Sequence, residues 1–262
     1  MKKTFQVGLA TEYDPLIQWG SFMAQSKCDG VRTWAIKQNG HVELYTRNNK
    51  LIKGCSHIKQ ELEQILEDGQ VLDGELYCHN ISFQSILSLV KTTGDNLDFI
   101  VFDLPLEQTT YFTRFEKLKS IVAGCQHVKP VTTYNKLVKT EKQIEQAMNH
   151  FIKNGFEGVI LRTDSNHENG RTETILKKKP LETTEFKIID IYKTNTGRLI
   201  ASMVTSANKQ FNAVVSGDSD QKKTLFYTRK RKIGKFATVS HQGFTNDGLP
   251  RFARMICVRN YE

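Results

Sequence analysis

Lys27-Cys28-Asp29-Gly30-Val31-Arg32 is the stretch on which the reading of this 262-residue chain turns. Alone, a Lys-x-Asp-Gly-x-Arg hexamer carries little information. Here four further clusters follow in order: Asp73-Gly74-Glu75-Leu76, Phe102-Asp103, Glu157-Gly158-Val159-Ile160-Leu161-Arg162 and Lys177-Lys178-Lys179. The series offers one amine as a nucleophile, carboxylates for a metal ion and two further amines for a phosphate.

Each residue type fits that chemistry for a physical reason. A free lysine has a pKa of about 10.4 and is mostly unreactive near neutrality. Neighbouring cations or desolvation lower that value and free the amine to attack. Lys177 and Lys179 are expected to supply the cations. Positions i and i+2 share one face of a strand, so these two amines enter one pocket while Lys178 turns away. Asp73 and Glu75 share a face in the same way, and Glu157 opens another strand. Carboxylates so placed suit Mg²⁺, which takes few protein oxygens together with phosphates and water. Phe102, in an apolar strand, is an aromatic that can stack on a purine. Arg32 and Arg47 are suited to bidentate phosphate contacts, Arg47 just after a strand. Arg162 and Arg171 flank the Glu157 strand and the loop after it, where each reads equally well as a surface charge. Taken singly, every one of these residues also has an ordinary structural reading; their order along the chain favours the chemical one. Cys28 reads as a small apolar strand residue.

Charge divides the chain. Residues 185–262 hold 14 Lys and Arg against 6 Asp and Glu, whereas residues 1–184 hold 23 against 22. A basic field so concentrated is the footprint of a polyanion, most often a nucleic acid. Its densest part, residues 222–232, sets the cations Lys222, Lys223, Arg229, Lys230, Arg231 and Lys232 around Phe226 and Tyr227. That combination is expected to track a phosphate backbone; a solvated hairpin is the plain alternative. The five cysteines are scattered and odd in number, which fits reduced thiols better than a disulfide framework or zinc site. No apolar run approaches the roughly 20 residues of a membrane span. Glu12, Asp14 and Pro15 interrupt any leader-like N-terminus.

Local patterns give a mixed first part. Strands are expected at 31–37 and 41–46 around an Asn39-Gly40 turn, and at 71–78, 98–104, 157–162 and 174–179. Helices are expected at 56–67, after Ser82, and after Thr140, where Thr140 and Gln143 form a capping box. Pro180 should stop the last of these strands. Five short strands, near 185–193, 198–205, 211–216, 235–240 and 252–258, predict a small barrel.

The ordered clusters resemble the covalent nucleotidyltransferase superfamily, and within it the ATP-dependent DNA ligases, over nearly the whole chain. Gly248-Leu249-Pro250-Arg251-Phe252, with Arg254 and Arg259, resembles the closing motif of minimal viral and bacterial ligases. The resemblance implies an α+β adenylation domain with antiparallel sheets and flanking helices over residues 1–184. An all-β OB-fold barrel would follow over 185–262. It implies ATP and Mg²⁺ (or Mn²⁺), nicked duplex DNA as partner, no membrane, a monomer and a cytoplasmic location. Lys27 would form a lysyl-adenylate. Gln25 would contact adenine, Phe102 would stack on it, and Glu75 would hold the ribose or metal. Arg32 would touch the ribose and the nick, and Arg47 the 5′-phosphate. Glu157 would serve the metal, and Lys177 and Lys179 the α-phosphate. Arg251 and Arg259 would assist attack on ATP when the barrel swings over the pocket, although Arg254 and Met255 stand where larger members carry a lysine. Because the chain starts 26 residues before the nucleophile, it is expected to lack the N-terminal DNA-binding domain of cellular replicative ligases and to grip DNA with two domains, with residues 222–232 a short version of a clasping insertion. The residues leave open an RNA-capping guanylyltransferase, an RNA ligase and, from another class, a non-catalytic DNA-binding module.

Overall fold

The computed structural model describes residues 5–14, 20–245 and 247–259. Pro15 and the lysines of Met1–Thr4 lie outside the described residues. The chain forms two compact units, Met1–Lys179 and Pro180–Glu262.

The first unit opens with β1 (Gly8–Glu12), β2 (Met23–Lys27), β3 (Val31–Gln38), β4 (His41–Thr46), β5 (Leu51–Ile52), α1 (Ser56–Ile65) and β6 (Val71–Tyr77). It continues with α2 (Phe83–Lys91), β7 (Asp98–Asp103), α3 (Tyr111–Ile121), β8 (Val128–Pro130), α4 (Glu141–Lys153), β9 (Gly158–Arg162) and β10 (Gly170–Lys178). The β3–β4 hairpin turns where Asn39 and Gly40 both take positive φ, 51° and 80°, the backbone that a two-residue type I′ turn requires. Ser82 caps α2 by accepting from Ser85 N–H, and the Thr140–Gln143 capping box on α4 is complete.

Two sheets carry the unit. The larger runs β5-β4-β3-β6-β7-β8 and the smaller β1-β10-β9-β2. The antiparallel expectation needs one amendment: β1 pairs with β10, and β7 with β8, in parallel. Ile58 and Leu62 of α1 and Phe115 and Leu118 of α3 join Leu44, Leu76 and Phe99 of the large sheet in one core. Ile144, Ala147 and Phe151 of α4 pack with Ala24, Val159, Leu161 and Leu176 of the small sheet. Each such Leu, Ile or Phe contributes about 1.5–3 kcal/mol when fully buried. Helices on the outer faces leave the inner edges of both sheets to line a cleft.

The second unit contains β11 (Glu182–Lys193), β12 (Leu199–Val204), β13 (Gln210–Val215), α5 (Ser219–Thr228), β14 (Phe236–His241) and β15 (Arg254–Val258). Its strands close into a barrel of order β11-β12-β13-β15-β14 around Phe186, Ile188, Met203, Val215, Val239 and Met255. The barrel is not purely β. Residues 219–228, which hold part of the basic segment, are the helix α5, and a 3₁₀ turn at Arg229–Arg231 follows; the hairpin alternative is thereby corrected. Asp218 caps α5 with Gln221 in a capping box.

Candidate active site

A cleft of about 250 Å³ in the first unit is lined from both sheets. Gln25, Ser26 and Lys27 come from β2, Arg32 from β3, Glu75 from β6, Phe102 from β7, and Ile175 and Lys177 from β10; Lys179 follows β10. Arg47, Arg162 and Arg171 complete its cationic side. Nearly every first-unit residue singled out in the sequence therefore meets at one place.

The turn between β2 and β3 explains the spacing of the Lys27 hexamer. Gly30 N–H donates to Glu75 Oε1 at 3.0 Å. A Cβ at Gly30 would stand 2.4 Å from the Leu76 carbonyl oxygen and 2.9 Å from Glu75 Cγ. The glycine thus lets the turn after Lys27 lie directly against the strand that carries Glu75. Gly158 plays the same part on β9. Its Cβ would fall 2.4 Å from the Lys178 carbonyl oxygen, and Glu157 N–H donates to the Lys27 carbonyl at 2.9 Å.

Glu157 is the electrostatic hub. Its Oε2 lies 2.5 Å from Lys27 Nζ, and its Oε1 accepts from Lys179 Nζ. Burial raises the Glu157 pKa, but Lys27 and Lys179 outweigh that and hold it below the ordinary carboxylate value. The expectation that neighbouring cations lower the Lys27 amine is corrected. Burial does lower it, yet Glu157 and then Glu75 outweigh burial, and the amine sits above the ordinary lysine value. Glu75 is raised, chiefly by burial and against the pull of Lys27 and Arg32. Lys177 pairs with Glu12 at 3.0 Å. Lys178 leaves the cleft for Glu141 and Glu145 of α4, as the i, i+2 rule requires.

Other residues differ from their expected settings. Asp73 does not join the metal carboxylates. It is 1% exposed and makes a bidentate pair with Arg32 at 2.8 and 2.7 Å. Arg32 also donates to the Gly8 carbonyl, and its guanidinium lies 4.4 Å from the Phe102 ring centroid. Arg162 is no surface charge: it is buried, and bonds Asp103 at 3.3 Å. The face rule applied to Lys177 and Lys179 places Arg162 beside Ile160, and both line the cleft. Arg171 reaches back to the Ala10 carbonyl at 2.8 Å. Burial pushes the Cys28 thiol to about 12, which fits the apolar reading of that residue. Tyr111, which no sequence motif marked, accepts from Gln25 Nε2 at 2.7 Å.

The barrel residues lie within their own unit. Arg259 Nε bonds Glu185 at 2.8 Å, and Arg251 lies 5.9 Å from the Phe252 ring, all in the second unit. Lys222 and Lys223 lie on α5, and Arg229, Lys230, Arg231 and Lys232 in and just after the 3₁₀ turn. The Arg229 guanidinium stacks 4.1 Å from the Phe226 ring centroid, Lys193 approaches the same ring at 4.5 Å, and Tyr227 is 81% exposed.

Among the described residues no group of three or more His, Cys, Asp or Glu side chains is placed to hold a metal, and no helix is long and apolar enough to cross a membrane.

Comparison with known proteins places the chain in a family. A family model described as an ATP dependent DNA ligase domain matches residues 15–179, and one described as a DNA ligase OB-like domain matches residues 192–259. The DNA ligase of African swine fever virus is 28% identical over 275 residues, covering 95% of this chain and 64% of that protein. The chain thus spans less than two thirds of that relative's length. The DNA ligase of Enterobacteria phage T4 is 26% identical over 255 residues, covering 70% of this chain and 50% of that protein. Among solved structures, a Lig E DNA ligase shares the fold with a TM-score of 0.73 at 22% identity, covering 98% of this chain and 100% of that one. The Chlorella virus DNA ligase-adenylate gives 0.54 at 24% identity, covering 98% and 99%. With more than half of the sequence inside the first family match, the chain belongs to the ATP-dependent DNA ligases.

Proposed function

We propose that this chain seals nicks in duplex DNA with ATP, through an adenylyl group carried on Lys27. The observation that carries the reading is a partly buried amine, Lys27 Nζ, in a cleft with two carboxylates and a ring of further cations. Neutral Lys27 attacks the α-phosphorus of ATP; an N–P bond forms and the bond to pyrophosphate breaks. An oxygen of the nick's 5′-phosphate then attacks the adenylyl phosphorus, and Lys27 leaves. The 3′-hydroxyl attacks the activated 5′-phosphorus, releases AMP and closes the strand. Each step is an in-line displacement, so alignment and charge neutralisation supply most of the catalysis.

Lys177, Lys179 and Arg47 are the cations for phosphate oxygens, and Gln25 and Phe102 face the base. Glu75 and Glu157 are the carboxylates for Mg²⁺ or Mn²⁺. Among the described residues no third His, Cys, Asp or Glu side chain joins them, which suits an ion that completes its shell with phosphate and water. When bound, the ion supplies neutralising charge on the phosphates. In this reading the working unit is a monomer, with Lys222, Lys223, Arg229, Lys230, Arg231 and Lys232 on the DNA backbone and Arg251 and Arg259 assisting the first step.

The test is sealing of a nicked duplex by wild type and Lys27→Ala, with ATP or GTP and with DNA or RNA strands. Sealing of DNA with ATP by the wild type alone is expected. A preference for GTP would favour a capping guanylyltransferase, and sealing confined to RNA an RNA ligase.

A further inference from the structure

Gln25 presents a carboxamide to the cleft, and either end of a carboxamide can face a base. The oxygen accepts a hydrogen bond and the nitrogen donates one. Which end faces inward therefore decides whether a 6-amino or a 6-oxo purine is matched.

The neighbours of Gln25 fix the answer. Its partner, the Tyr111 hydroxyl, has one hydrogen, and that hydrogen goes to the Phe102 carbonyl at 2.7 Å. Burial pushes the Tyr111 pKa up, so the hydroxyl keeps its proton. Towards Gln25 it has only lone pairs left, and the group it meets at 2.7 Å must be the amide N–H₂. The logic of the hydrogen-bond network thus assigns the amide orientation. The second contact of Nε2, to Met23 Sδ at 3.7 Å, is consistent with a donor there. Among the described residues, no donor is bonded to Gln25 Oε1.

Tyr111 is itself held firmly. It is 1% exposed, its ring lies 4.5 Å from the Arg162 guanidinium, and Arg162 is anchored on Asp103. The carbonyl it grips belongs to Phe102, whose ring lines the same cleft. One hydroxyl thus ties together the base-facing amide and the backbone of the aromatic wall.

We propose that Tyr111 is a positioning residue for nucleobase choice: by accepting from Gln25 and donating to the Phe102 carbonyl, it locks the Gln25 oxygen toward the base and selects a 6-amino purine over a 6-oxo purine. An adenine amino group meets a waiting acceptor. The 6-oxygen of guanine or hypoxanthine meets another lone pair, and a buried acceptor is left unpaired. Sites built around such a hydrogen bond reject the analogue lacking it by as much as roughly 10⁴–10⁵-fold.

This inference rests on the ligase reading, and the experiment separates the two. Formation of the lysyl-nucleotide is timed with ATP, ITP and GTP for the full chain, for Tyr111→Phe and for Gln25→Leu. The wild type is expected to prefer ATP over ITP by at least about 100-fold, well inside that range. Tyr111→Phe frees the amide to turn, and the ATP/ITP ratio of kcat/KM falls at least tenfold. Gln25→Leu, which has no oxygen to orient, loses the preference as well. A purely structural role for Tyr111 would slow all three nucleotides alike and leave the ratio untouched. An unchanged ratio in both variants, or a wild type that accepts ITP as readily as ATP, overturns the inference while leaving the ligase reading intact. Absence of any lysyl-nucleotide from the wild type overturns the ligase reading itself.

Discussion

Lys27 and Glu157 form the contact on which the proposed reactivity depends. An amine raised by a carboxylate 2.5 Å away is an ammonium at neutral pH and cannot attack phosphorus. As the proposed nucleophile, Lys27 has to be released from Glu157 before it can attack. An NMR titration of the Lys27 side chain without nucleotide should find a midpoint above the ordinary lysine value. In Glu157→Gln the larger of the raising charges is gone while Glu75 remains, and the midpoint should move down; an unmoved midpoint would remove Glu157 as the cause. The same shift bears on stability. Because the folded-state pKa is raised, the Lys27 contribution is complete below pH about 10.4, the unfolded lysine value, and is lost as pH climbs through the folded value. At this scale the sequence was informative about which residues meet, because i, i+2 alternation puts Ile175, Lys177 and Lys179 on one face. It was silent on their pairings. Nothing in the spacing of Asp73 and Glu75 says that Arg32 claims the first and Gly30 N–H the second.

Elements were legible where the apolar pattern and the caps agreed. The Asn39-Gly40 hairpin, α2 with its Ser82 cap and α4 with its capping box all carry their signals locally. The helix α3 does not. Its buried positions, Tyr111, Arg114, Phe115 and Leu118, have helical spacing, but one of the four is a charge. Arg114 is buried only because Asp103 on β7 receives it at 2.7 Å, a long-range pairing that no local window contains. The helix α5 has no fully buried residue, so it offered no apolar stripe to read. Glycine packing is long-range in the same way. Gly158→Ala is expected to push β9 from β10, because the new Cβ would fall 2.4 Å from the Lys178 carbonyl oxygen. Overpacking of this kind costs about 1–3 kcal/mol. A lower Tm is expected, together with slower adenylyl transfer as Lys177 and Lys179 shift; a melt and a rate indistinguishable from wild type would contradict this packing role.

At the scale of the whole molecule, charge and chemistry are divided between the units. The first holds the cleft and is nearly balanced in charge, while the second carries most of the excess of Lys and Arg. That division was visible in the sequence because it needs only counting. The barrel was visible because its five strands alternate locally, whereas the parallel β1–β10 pairing joins residues more than 150 positions apart and leaves no local trace. If the basic segment tracks phosphates, changing Lys230, Arg231 and Lys232 to Ala should weaken binding to nicked duplex. It should also reduce the slope of log K against log salt by up to about 0.9 for each phosphate no longer neutralised. An identical slope would take those residues off the DNA. Whether Lys27 carries the nucleotide is decided by mass spectrometry of the protein after exposure to ATP and magnesium. One adenylyl group is expected on the peptide containing Lys27, and none on that peptide in Lys27→Ala. An unmodified Lys27, or a nucleotide on any other residue, would contradict the covalent mechanism.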